Sequence, residues 1–166
     1  MTPRILVAGV GNIFLGDDAF GVEAVRALSS EELPERVRVA DYGTSGMHLA
    51  FDLLDGFEAL ILVDATPRGE EPGTVSLLDL GDGTGVTGSV PAALDAHGMQ
   101  PDAVLRLLGE LGGRVEKVFV VGCEPSDVEH RTGLSDPVRE AIPEALRVVR
   151  TLVRELAVTT ATTEEV

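Results

Sequence analysis

The chain is short of cysteine, of positive charge and of long apolar runs, and each shortage excludes something. A single cysteine, Cys123, cannot close an internal disulfide, so nothing points to an oxidising compartment or a stapled mini-fold. Thirteen lysines and arginines stand against twenty-eight acidic residues, a formal net charge of -15. A field of that sign repels phosphate backbones and anionic lipid, which argues against nucleic acid and membrane surfaces and favours a cation or a basic peptide as partner. No stretch approaches the roughly 18 consecutive apolar residues of a membrane helix. Arg4 is followed only by a short apolar run that passes straight into glycines, which predicts no signal peptide and a cytoplasmic location.

What is present is an alternation of buried strands and amphipathic helices. Residues 5–10 are continuously apolar and end at a glycine-rich break, as a strand covered on both faces does. Phe20, Ala24, Val25 and Leu28 then recur at helical spacing, with Asp17 and Asp18 where negative charge suits a helix start. A strand over 37–40 follows, and a helix capped by Thr44 or Ser45 runs through Met47, Leu49, Leu53 and Leu54. A strand over 59–63 completes a βαβαβ unit, which predicts a mostly parallel sheet with helices on both faces.

The connection from Asp64 to TVSLLDL is too short for a parallel crossover, so a fourth strand should run antiparallel to the third. Residues 81–93 are rich in Gly, Thr and Ser without apolar period and read as a mobile loop able to cover a site. Pro101 opens a helix through Leu111 that Gly112 and Gly113 end, and KVFVVG supplies a fifth buried strand. Ser135 can cap a final helix carrying Val138, Ile142, Leu146, Val149, Val153 and Leu156, with a kink expected at Pro143. One layered α/β unit over 1–158 accounts for the chain, with 159–166 a frayed tail.

Ligands of open parallel sheets gather outside the carboxyl ends of the strands, and that rule sorts the acids. Asp17 and Asp18 follow the first strand, Asp41 ends the second, Asp64 ends the third, and His97 lies between the loop and the helix before the fifth. A dinucleotide site built on GVGNIF, with Asp41 on the ribose, is disfavoured. Phe14 stands at the third glycine, and two carboxylates would repel the pyrophosphate.

Two carboxylates and one imidazole, by contrast, make a set of ligands for a divalent ion with positions left open, as hydrolysis requires. Asp18, Asp64 and His97 fit that demand, although each has a plainer explanation alone: helix-terminus charge, turn capping, an exposed loop histidine. Asp17 is the nearest rival to Asp18, with support of the site or helix-terminus charge the expected role. The GTSG segment, 43–46, offers amides for an oxyanion, with plain capping favoured. Cys123 reads as a small buried hydrophobe, and His48 and His130 as surface residues.

GVGNIFLGDDAFGVEAVRAL, DYGTSG, LILVDAT, DAHG and VVGCEPSDVEHRTGLS, in that order over nearly the whole chain, resemble the hydrogenase maturation endopeptidases, which trim the large subunit of nickel-iron hydrogenases. The resemblance implies a three-layer α/β/α fold with a mixed, mostly parallel five-stranded sheet. It also implies a peptidase in which Asp18, Asp64 and His97 serve catalysis and bind metal. The implied partner is a large-subunit precursor with nickel already inserted, cut after a basic residue near its C-terminal cysteine motif. Nickel would then come with the substrate, and another divalent ion would occupy the site in isolation. Two other functions compete: a non-catalytic nickel-dependent checkpoint binding the same precursor, and a small-substrate aminopeptidase or amidohydrolase with its own tightly held metal.

Overall fold

The structure, a computed structural model, describes residues 4–83 and 101–164, with side chains given outside 102 and 159–164. Five strands form one sheet: β1 (Ile5–Val10), β2 (Val37–Gly43), β3 (Ala59–Ala65), β4 (Val75–Asp79) and β5 (Lys117–Cys123). Their order is β2-β1-β3-β5-β4. All neighbours pair parallel except β4, which lies at the edge antiparallel to β5. The short connection after β3 therefore does reverse the chain, but β4 passes beyond β3 and pairs with β5 instead.

Side chains alternate across the sheet, as the pleat requires. Ile5 and Val7 of β1 join Ile61, Val63, Phe119 and Val121 in a core closed by α1 (Phe20–Leu28) and α4 (Asp136–Glu164). Leu6, Ala8 and Val10 join Leu60, Leu62, Val118 and Val120 in a second core closed by α2 (Gly46–Leu53) and α3 (Pro101–Glu110). The result is the expected three-layer α/β/α arrangement. β1 and β3 are buried at every position, which explains the apolar run of β1 and of β3 as far as Val63, with the buried Asp64 as the exception. β2, next to water, has a mixed burial pattern.

Three elements are bounded differently from the sequence-based expectation. Asp17 and Asp18 precede α1 in a short 3-10 turn, Gly16–Ala19, rather than opening the helix itself. β2 runs on to Gly43, three residues past the expected end. Pro143 lies inside an unbroken α4, and that helix extends to Glu164, into the stretch read as a frayed tail. Most of the loop expected over 81–93 lies outside the described residues.

α1 presses unusually close to the sheet. A Cβ at Gly21 would fall 2.0 Å from the Val63 carbonyl oxygen and 2.5 Å from that of Val10, and one at Gly9 would fall 2.4 Å from the Gly21 carbonyl. Glycine at both positions lets helix and strands touch backbone to backbone. This contact fixes where the 3-10 turn sits relative to the ends of β1 and β3.

Candidate active site at the strand ends

The chain leaves β1 toward β2 on one side and, after β2, crosses to β3 on the other. The gap beyond the carboxyl ends of β1 and β3 is therefore the topological switch point, where open α/β sheets bind ligands. Four buried carboxylates lie along this edge of the sheet: Asp17 and Asp18 after β1, Asp64 within the last turn of the pleat of β3, and Glu124 directly after β5. Removing a carboxylate from water is costly unless hydrogen bonds replace the hydration, so the partners reveal each acid's task.

Asp17 and Glu124 hold loops. The Asp17 carboxylate accepts from the amides of Ser126 (2.8 Å), Asp127 (2.9 Å) and Ser135 (2.7 Å) and from the Ser135 hydroxyl (2.8 Å). Burial pushes its pKa up, but the bonds from Ser135, Asp127 and Ser126 outweigh burial and bring it below the usual carboxylate value. Glu124 accepts from the Arg68 amide at 2.7 Å and so ties down the loop after β3.

Asp18 and Asp64 are aimed differently. Asp18 Oδ2 accepts from the Asn12 amide at 2.8 Å, closing the loop after β1 on itself. Gly11 makes this possible: its φ is 140°, and a Cβ there would fall 1.9 Å from the Asp18 carbonyl oxygen. Asp64 continues the row Leu60, Leu62 on the α2/α3 side of β3, and its Oδ1 accepts from the Ala65 amide at 2.8 Å. The two acids thus flank the switch point, one at the end of each adjacent strand. His97, the third expected ligand, lies outside the described residues.

Among the described residues no group of three or more His, Cys, Asp or Glu side chains could hold a metal ion. The donors present fit the oxygen half of such a site: two carboxylates of fixed orientation suit a divalent ion and leave the remaining positions to other ligands.

Beside the switch point, on the β1/β2 side, a cleft of about 380 Å³ runs between the GNIF loop and the loop after β2, with Arg26 and Asp41 in its wall. Asp41 pairs with Arg26 at 3.3 Å and accepts from the Gly43 amide at 3.0 Å. Ser45 caps α2 by accepting from the His48 amide at 3.2 Å, the plain role expected for the GTSG segment, while Thr44 lines the cleft.

Cys123 is fully buried, and its thiol is pushed up to about 12 by burial, then by the charges of Asp17 and Glu124. It is no nucleophile. His48 and His130 are exposed. Sequence reasoning missed Glu124 and Thr66, whose buried hydroxyl finds no hydrogen-bond partner. Their signal was available, since both stand at strand ends on the edge already singled out.

Fold and site together define an open, mostly parallel α/β domain with buried carboxylates at its switch point. Comparison with known proteins narrows the class. The family model for hydrogenase maturation proteases (HycI) matches residues 22–152. HupD of Rhizobium leguminosarum bv. viciae, a hydrogenase expression/formation protein, is 36% identical over 158 residues, covering 94% of this chain and 77% of its own. The hydrogenase 2 maturation protease of Escherichia coli K12 is 36% identical over 161 residues, covering 93% of each. Among solved structures, the hydrogenase maturating endopeptidase HybD from E. coli superimposes with a TM-score of 0.77 at 36% identity, covering 92% of this chain and 93% of that one. The chain belongs to the hydrogenase maturation protease family, and it is an endopeptidase of that family.

Proposed function

We propose that this endopeptidase removes the C-terminal extension of a nickel-iron hydrogenase large-subunit precursor after nickel has been inserted, acting in the cytoplasm. The observation that carries the reading is the pair of buried carboxylates, Asp18 and Asp64, set at the ends of neighbouring strands on either side of the switch point. With His97 they would give two oxygens and one nitrogen, too few donors to hold nickel firmly without help. The precursor's own thiolates would complete the set, so the ion serves as the recognition element and brings the scissile bond to the acids. The net charge of -15 favours approach of a basic cleavage segment. Membership in the family supports the hydrogenase client and favours cutting over mere binding.

Order of addition tests the proposal. Nickel-loaded precursor should be cut by enzyme that has been treated with chelator and desalted. Metal-free precursor should survive enzyme preincubated with nickel or zinc and then desalted. Rapid cutting of metal-free precursor by metal-loaded enzyme would make this an ordinary metalloprotease and end the shared-metal reading.

A further inference from the structure

Asp17 is fully buried, and both of its carboxylate oxygens are engaged by protein donors. The four bonds it accepts, from the amides of Ser126, Asp127 and Ser135 and from the Ser135 hydroxyl, come from the loop between β5 and α4. Ser135 stands at the N-cap position of α4, where its carbonyl accepts from the Arg139 amide at 2.9 Å. A serine there usually turns its hydroxyl onto the helix amides. Here the hydroxyl is given to Asp17 instead. The backbone reinforces the tie: the Asp17 amide donates to the Asp127 carbonyl (2.7 Å), that of Gly16 to the Arg131 carbonyl (2.9 Å), and that of Arg131 to the Phe14 carbonyl (3.0 Å). The 3-10 turn carrying Asp18 is therefore held from outside, by a loop remote in sequence.

We infer that Asp17 is a positioning residue: by clamping the turn Gly16–Ala19 to the loop after β5, it fixes the direction of the adjacent Asp18 carboxylate. The inference rests on the proposed role of Asp18. Charge-assisted bonds to three amides and a hydroxyl are short and directional, so a turn held by them has little freedom to reorient. The alternative is that the clamp merely stabilises the fold.

The amide of Asn12 separates the two, because it binds Asp18 Oδ2 and does not touch Asp17. In the full chain, at 17.4 kDa accessible to NMR, amide exchange would be followed in Asp17→Asn and Ser135→Ala. Asp17→Asn should speed exchange at Ser126, Asp127 and Ser135 and also at Asn12, by about tenfold or more. On nickel-loaded precursor, kcat should fall roughly 10–100-fold, the usual effect of losing a group that orients a ligand, with KM little changed. Ser135→Ala removes one bond of the four and should shift both readouts the same way by less, which keeps the test open if Asp17→Asn fails to fold.

Unchanged protection at Asn12 in a variant whose loop amides are released would overturn the inference. So would lost protection at Asn12 with kcat unaltered. If instead Asp18→Asn and Asp64→Asn both cut normally, the proposed site itself is wrong, an outcome visible independently of the Asn12 amide.

Discussion

Asp64→Asn keeps the size of a side chain that is only 2% exposed while removing its charge, so the fold should survive and the chemistry should not. If Asp64 holds the ion as proposed, its loss removes several kcal/mol of transition-state stabilisation, so processing should drop below about 1% of normal. His97→Ala should do the same. A precursor gel-shift assay paired with circular dichroism checks both, and a folded, active variant removes that residue from the site. Thr66 is the opposite case. Its Oγ1 is buried without a hydrogen-bond partner and leans over Gly122, where a Cβ would fall 2.2 Å away. An orphaned buried hydroxyl costs about 1–3 kcal/mol, so Thr66→Val should raise stability by about 1 kcal/mol in urea unfolding. A loss of stability would mean that the hydroxyl has a partner, such as an ordered water. At this scale the placement of Asp18 and Asp64 beyond the strands was legible because ligand-binding edges of open sheets are fixed by topology, whereas His97 lies outside the described residues. The division of labour between Asp17 and Asp18 was legible only as an expectation, since the donors that occupy Asp17 lie more than a hundred residues away.

At the level of elements, periodicity located the five strands and four α-helices of the described residues because each buries one face or both, and burial leaves a mark in the sequence. What it did not show was contact between backbones. Gly21 reads in sequence as a weak point inside α1, where alanine would ordinarily gain about 1 kcal/mol of helix propensity. The structure reverses the sign. A Cβ there meets the carbonyl oxygens of Val63 and Val10, neither of which can swing aside, and the overpacking should cost about 3 kcal/mol or more. Gly21→Ala is therefore expected to lower the melting temperature and, by lifting α1 and the turn before it, to impair processing. Thermal unfolding followed by circular dichroism gives the sign directly. The close approach of helix and strand that a third glycine in GVGNIF would have allowed is made here by Gly21 and Gly9, and Phe14 is 63% exposed. The position of β4 was also beyond sequence pattern: its direction followed from the short connection, but its partner, β5, had to be seen.

Over the whole molecule, a formal charge of -15 makes the folded chain repel itself and attract basic segments. Salt screens both effects, with a Debye length near 10 Å at about 0.1 M. Added salt should therefore raise the melting temperature by roughly 2–4 °C, equivalent to about 1 kcal/mol at this size. It should raise KM for the precursor at the same time. Calorimetry and precursor kinetics over one salt series would show the two trends moving together; a KM indifferent to salt would remove charge from the account of docking.

The clamp between Asp17 and Ser135 also sets a clock, for its partners are 118 residues apart. A chain made N-terminus first at about 5–20 residues per second holds Asp17 ready for roughly 6–24 s before Ser135 exists to meet it. During that interval the turn bearing Asp18 has no loop to close against. Under the positioning role inferred for Asp17, the site cannot reach its full cutting rate until the loop after β5 has emerged and docked onto the turn that precedes α1.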